Sequence, residues 1–450
     1  LQHVSFADSG GSISRLELIE KKLRLNLVPE DGAFFSTYPD VPATISERKG
    51  KVTTRQNVDG VIVAKTYRFT RDALEGIDVV CDNTKRSAVE FDLTINVSNG
   101  LAVDKTANAK ENVQLNKVRY FRNNELFSPN SGIIDLRDAK WFSSDNRYFI
   151  LAVISETGFD DEKLEIIKKT RTTPAGAVMT IPVKLAPRAR YSKSYRVLIA
   201  GKSFHALREH GIGLERTIDF GILGSLGKFF LRALLKLNSF TGNFGLAIIL
   251  LSLGIQSIAL PLSLKSLRAA ADMKRIQPHL KEIQSKFKSD PKRMNVEVME
   301  LYKKHKVNPL GGCLPMIFQL PIFWALFNTL RSAYELRHAG FLWLKDLSQA
   351  DTLFSAIPFI NRIPVLGNAG PLPLLMGAGM FVQQFMSGST NDPQQKMTAY
   401  VLPAVFTFMF LRFPSGIVLY WLVNSLVTII MQLFFVEREI VHEHQLKKTK

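Results

Sequence analysis

Residues 249–265 read ILLSLGIQSIALPLSLK, an apolar run with one amide, Gln256, near its middle and Pro261 beyond it. The chemistry open to such a side chain is hydrogen bonding, because an amide in hydrocarbon is costly unless it is paired. Taken alone, a hydrogen bond to a neighbouring helix, worth about 1 kcal/mol, explains it best. Stronger chemistry has few candidates. Cys81 and Cys313 sit in different halves of the chain, with no metal spacing and no plausible disulfide between them. The HEHQ of residues 442–445 offers two lone imidazoles in a charged tail, which read as solvated rather than as metal ligands.

The elements around these residues divide the chain of 450 in two. Residues 1–216 are mixed and polar. Within them AVEFDLTINVSNG (88–100) alternates, with Val89, Phe91, Leu93, Ile95 and Val97 on one face, the period of a half-buried strand. VIVAKTYRF, GAVMTIPVKL and YRVLIAG are further strand candidates between Asn, Asp and Gly turns. The pattern predicts an all-β sandwich. It contains no catalytic constellation and suits a binding or spacer module. Leu1 is not an initiator Met and no signal peptide is visible, so a removed leader or a trimmed start is expected.

From Phe244 onward, apolar runs at 243–264, 309–330, 371–387, 399–413 and 415–436 predict five membrane spans in an all-α domain. A tight turn is expected at Pro414-Ser415-Gly416. The net charge of +18 is concentrated. Residues 265–306 carry 12 Lys/Arg against 5 Asp/Glu, and the positive-inside rule puts them in the cytoplasm. The β domain and the nearly neutral loop 331–370 then lie outside, while 388–398 and the tail 437–450 lie inside.

Residues 265–306 are rich in helix formers and broken at Asp290-Pro291, which predicts an antiparallel helical hairpin. Its Lys274, Arg275, Lys281, Lys286, Lys292 and Arg293 are either a solvated face or a docking surface for an acidic partner such as a ribosome. Before the first span, residues 217–240 form a basic amphipathic helix. Lys228, Arg232 and Lys236 share one face, which suits lipid headgroups at the membrane surface.

KVNPLGGCLPMIFQLPIFWALF (306–327), directly after a basic hairpin, resembles the second core span of the YidC membrane insertase family. DPQQKM (392–397) with FPSGIVLYW (413–421) is similar to the region around that family's last two spans, and SFTGNFGLAIIL to entry into its first core span. The large β domain fits the Gram-negative type, in which an uncleaved N-terminal anchor precedes it; no such anchor is seen here.

The resemblance implies a multi-pass protein of the bacterial inner membrane with its N-terminal domain in the periplasm. It implies insertion of membrane proteins, alone or with the Sec translocon, without covalent chemistry, ATP, metal or other cofactor. Clients would enter a hydrophilic groove within the core 241–436, to which Ser252, Gln256, Gln319, Asn424 and Ser425 would contribute. The family usually has an arginine where this chain has Gln256, so a fixed positive charge is missing there. Leu320, Phe323, Tyr420 and Trp421 would form the apolar face along which a client helix slides. Arg412 is unusual for its place and is expected near the outer end of its span, where it can snorkel.

Two other functions are compatible with five spans. A secondary transporter is disfavoured because there are no repeated halves and no mid-membrane carboxylate to couple an ion. A non-catalytic assembly factor bound to Sec components could coexist with insertion.

Overall fold

The computed structural model describes the chain except residues 1–2, 8–9, 21–22, 29–31, 71–72, 102–114, 169, 171–172, 309–313, 358, 360–361, 363–366, 368, 387–392 and 449–450, and gives backbone alone for 3, 18–20, 23–25, 270, 274, 314–316, 393–399 and 435–448. Two compact units result, Leu1–Asp219 and Phe220–Lys450.

The first unit is an antiparallel β-sandwich. Its nine-stranded sheet runs in the order Glu125–Phe127, Lys117–Arg122, Ala139–Asp145, Phe149–Ile154, Arg190–Gly201, Ala73–Asn83, Val61–Thr70, Lys51–Val58, Thr44–Arg48. A four-stranded sheet runs Gly132–Asp135, Lys163–Ile167, Gly176–Leu185, Val89–Ser98, and a three-stranded one joins His3–Phe6, Ile13–Glu20 and Leu23–Asn26. The alternation of 89–98 is realised as expected: Leu93, Ile95 and Val97 are buried while Glu90, Asp92 and Thr94 face out. Trp141 and Phe121 stack at 5.4 Å in the core. The indole Nε1 of Trp141 donates to Ile212 O at 2.8 Å, and Arg119 reaches Thr217 O. The segment after the short helix α1 (Phe204–Glu209) is thereby tied to the sheet.

The second unit is helical. It comprises α2 (Gly224–Thr241), α3 (Phe244–Lys286), α4 (Pro291–Lys304), α5 (Leu314–Ser332), α6 (Pro371–Met386), α7 (Pro393–Phe410) and α8 (Ser415–Lys448). Asn243 starts α3, its Oδ1 accepting from Gly245 N at 2.8 Å and Leu246 N at 3.3 Å. The helix does not end where the apolar run does. It passes through Pro261 and Pro278, so the first expected span and the first arm of the hairpin are one 43-residue element. Asp290 caps α4 by accepting from Arg293 N, with Pro291 in the first turn, which needs no N–H there. The hairpin closes with His279 of α3 and His305 stacked at 6.0 Å.

Among the described residues, two stretches are long and apolar enough to cross a membrane, Phe244–Met273 and Ser415–Phe434, and Tyr400–Phe410 is a shorter apolar helix. The expected turn at 414–416 falls at 411–414 instead. Ser415 and Gly416 already belong to α8, because their N–H groups donate to Gln349 O and Leu347 O. Likewise the basic helix begins at Gly224, not 217.

Candidate functional site

Polar side chains inside the helical unit gather where α3, α5 and α8 approach. On α3, Ile248, Ser252 and Gln256 recur every four residues and therefore share a face. Gly416 of α8 lies against that face, close enough that a Cβ on it would sit 3.2 Å from Ile248 Cδ1. This contact falls within the first two turns of α3 and at the start of α8. One turn along, Ser252 is fully buried and returns its hydroxyl to Ile248 O at 2.7 Å. A further turn along, Gln256 is 9% exposed and makes no hydrogen bond to a described residue. Among the described residues, the helix–helix hydrogen bond that its residue type suggests is not made.

On α8, Tyr420 and Asn424 are spaced by four. Gln319 of α5 donates to the Tyr420 hydroxyl, and Asn424 hydrogen-bonds the same group. The Asn424 Oδ1 is buried without a hydrogen-bond partner among the described residues. An unpaired buried acceptor is worth about 1–3 kcal/mol to whatever donor reaches it. Gln319, Tyr420 and Asn424 are thus joined by hydrogen bonds, and Ser252 and Gln256 lie on the α3 face that Gly416 of α8 packs against. Ser425 stands apart from them. Turned about 100° from Asn424 on the same helix, it meets α6 at Gly379, where an added Cβ would lie 3.4 Å from its own.

Beside these polar groups is an aromatic seam. Phe323 of α5 meets Trp421 edge-on at 5.0 Å, and Phe410 and Phe406 of α7 lie 5.4 Å and 5.7 Å from the same indole. Phe327 and Phe413 extend it, with ring centroids 5.4 Å apart. Leu320 projects outward, 55% exposed. Tyr420 is not on this face, being buried with its hydroxyl bonded to Gln319. Sequence reasoning missed Phe406 and Phe410, although their i, i+4 spacing places them on one face of α7.

The basic surfaces are separate. On α2, Arg232 and Lys236 are exposed and Lys228 is half-buried, while Phe230, Leu231 and Leu234 are buried. Thr329 of α5 donates to Gly227 O at 3.1 Å, fixing the inner side of α2. Phe229 and Phe240 are exposed on it. In the hairpin, Lys281, Lys286, Lys292 and Arg293 are exposed. Lys286 and Arg293 lie over the Phe287 ring at 5.6 Å and 5.2 Å. Arg275 sits 3.6 Å from Asp272. The side chain of Lys274, and Cys313 and the tail His442 and His444, lie outside the described residues. Arg412 is exposed between α7 and α8.

Among the described residues no group of His, Cys, Asp and Glu is arranged to hold a metal. In the β unit Cys81 is buried, and burial, with the neighbouring Asp82 adding to it, pushes its thiol up to about 12.

Two family models match the chain, the 60Kd inner membrane protein over residues 236–443 and the YidC periplasmic domain over 16–233. The membrane protein insertase YidC of Endomicrobium trichonymphae is 36% identical over 445 residues, covering 96% of this chain and 83% of that protein. That of Pelobacter propionicus is 36% identical over 419 residues, covering 90% and 75%. A crystal structure of an active YidC insertase with its first transmembrane domain resolved is similar with a TM-score of 0.45 and 18% identity, covering 95% of this chain and 89% of that one.

Proposed function

The chain belongs to the YidC family of membrane protein insertases, and from that premise we propose that it inserts client proteins into the inner membrane of a bacterium along the polar side chains of its helical unit. The observation that carries this reading is a pair of amides with hydrogen-bonding capacity left over among the described residues, Gln256 on α3 and the Oδ1 of Asn424 on α8, set two turns below the contact between Ile248 and Gly416. Amide groups with spare hydrogen-bonding capacity inside an apolar helical unit are suited to receive a polar segment in transit.

The work required is the lowering of a barrier. A charged residue at the bilayer centre costs about 2.5–3.5 kcal/mol on insertion-based scales. Hydrogen bonds from Gln256, Gln319, Tyr420 and Asn424 offset part of the desolvation of a client's polar segment. The client's own apolar helix then gains about 25 cal/mol for each Å² of apolar surface it buries in lipid. No covalent step is needed. The aromatic seam of Phe323, Phe406, Phe410 and Trp421, with Leu320 outside it, offers that helix an apolar path next to the polar one.

The same reading sets the topology. Five spans, formed by α3 up to residue 264 and by α5 to α8, leave the β unit in the periplasm and the α3–α4 hairpin in the cytoplasm. The 12 Lys/Arg against 5 Asp/Glu of 265–306 support that orientation. The exposed Lys281, Lys286, Lys292 and Arg293 suit an acidic partner such as a ribosome, and Lys228, Arg232 and Lys236 suit anionic headgroups. Association with the Sec translocon is part of the same proposal.

The test is insertion of a single-span client into vesicles holding the purified chain, read by protection of its translocated tail from protease. Insertion no faster than into protein-free vesicles would sink the reading.

A further inference from the structure

Residues 334–351 bind together the ends of three helices. The carbonyl of Gly340 accepts from Asn243 Nδ2 at 3.4 Å, and the Phe341 ring sits so tightly on Gly245 that an added Cβ would meet it at 2.1 Å. Both contacts fall at the start of α3. Gln349 O and Leu347 O receive Ser415 N at 2.7 Å and Gly416 N at 2.9 Å at the start of α8, and the Ser415 hydroxyl donates to Asp346 O at 3.0 Å. Leu336, Leu344 and Leu347 form a small buried core beneath.

The third helix is held by one carboxylate. Asp351, 4% exposed, accepts at Oδ2 from Trp343 Nε1 at 3.1 Å and from Leu372 N at 3.0 Å, and at Oδ1 from Leu353 N at 3.2 Å. Leu372 lies in the first turn of α6, where backbone N–H groups have no partner within the helix and the dipole favours negative charge. Gly370 approaches so closely that a Cβ would come within 2.0 Å of the carboxylate. Asp351 therefore joins the Trp343 turn to α6 while that turn holds α3 and its neighbours hold α8.

We infer that Asp351 is the positioning residue of a seal that closes the outward end of the groove. This rests on the insertase reading above and on its orientation, which places the starts of α3, α6 and α8 on the side opposite the basic hairpin. Ser252 and Tyr420 lie one turn below the seal contacts and Gln256 and Asn424 two turns below, about 12 Å along the helices from Ile248 and Gly416. A polar groove is an ion path unless one end is shut. Here the shutting element is a folded turn of the chain, tied to its three helices by hydrogen bonds and close packing, with the carboxylate of Asp351 between two of them.

The test uses the full chain reconstituted in vesicles, reading client insertion and proton entry under an imposed pH gradient. Asp351→Ala should raise proton entry about ten-fold or more, since it removes three hydrogen bonds to the carboxylate and the loss of one to a charged acceptor already changes the open population by about that factor. A second readout separates sealing from general loosening. Ser252→Cys, in a background with Cys81 and Cys313 replaced by serine, should resist a membrane-impermeant maleimide added to spheroplasts, and should react once Asp351→Ala is added. If Asp351→Ala fails to accumulate, Trp343→Phe, which removes one donor and keeps the ring, is read by the same two measurements. Variants that insert the client, stay as proton-tight as the parent and leave Ser252→Cys unreactive overturn the inference. Parent vesicles that insert no client overturn the functional reading instead.

Discussion

Gln319 on α5 donates a hydrogen bond to the hydroxyl of Tyr420 on α8, across 101 residues of sequence. That bond ties α5 to α8 one turn from the edge-on contact of Phe323 with Trp421. It also orients the hydroxyl that Asn424 shares. Tyr420→Phe removes both partnerships and keeps the ring. The expected stability loss is about 0.6–1.7 kcal/mol, the range for hydrogen bonds between membrane helices. Insertion of clients with polar tails should slow more than that loss explains. Thermal unfolding in detergent, set against the insertion rate, checks it; equal slowing for polar and apolar tails would assign Tyr420 a packing role alone.

Gln256→Arg should fold and accumulate, because the new guanidinium would meet the polar side chains of Ser252 and Asn424 rather than lipid. It should speed clients with acidic tails, since attraction between opposite charges strengthens as the local dielectric falls. Gln256→Leu should slow the same clients. A client series of graded tail charge, followed by protease protection, gives the answer. Loss of membrane accumulation by Gln256→Arg would place Gln256 against lipid or a tight helix contact.

Replacing Lys228, Arg232 and Lys236 together with Glu should weaken activity in anionic membranes and leave the β-sandwich folded. Each basic residue near such a surface is worth about 1 kcal/mol. The effect should shrink in vesicles of neutral lipid. Equal activity of parent and variant in anionic vesicles would detach α2 from the headgroups.

The α3–α4 hairpin should exchange its amide hydrogens faster than residues 244–264. No side chain of α4 is buried, and among the described residues of the α3 arm Ile276 is the buried apolar one, with Leu280, Ile283 and Phe287 half-buried. Such a seam gives little protection against local opening. Hydrogen exchange in detergent measures it, and uniform slow exchange across both regions would contradict the expectation.

Cys81 should stay unlabelled by maleimide in the native protein from pH 7 to 9 and react on unfolding, because the thiolate is the reactive form. Its native thiol is pushed up to about 12 by burial, so the folded chain keeps a proton that the unfolded chain releases. The stability this contributes is full below the unfolded thiol's pKa and is lost as pH rises toward about 12. Labelling under native conditions at pH 8 would show that the strand Ala73–Asn83 opens.

The sandwich strand at 89–98 could be read from sequence because its period of two matches one buried face, and Asp290-Pro291 because capping chemistry is local. The polar side chains were readable by residue type but not by partner. Which of Asn424 and its neighbour Ser425 meets α6 depends on how α8 is turned, and the close approach at Gly379 shows it to be Ser425. The length of α3 was not readable, since the helix runs on past the end of its apolar run and through Pro261. Asp351 gave no hint at all: its donors Trp343, Leu353 and Leu372 are brought to it by the fold, and a lone Asp in a neutral loop carries no local mark.

The continuity of α3 has a mechanical meaning. At 1.5 Å per residue its 43 residues span about 64 Å, roughly twice the hydrocarbon thickness of about 30 Å. Its first turn is pinned by Phe341 and Gly340. Gln256 lies about 18 Å from that fulcrum and Lys286 about 63 Å from it. A partner that swings the basic tip sideways by about 7 Å would therefore shift the Gln256 level by about 2 Å if the rod stays stiff. Pro261, which lacks the backbone N–H that would stiffen the turn above it, is the joint that decides how much of the stroke arrives.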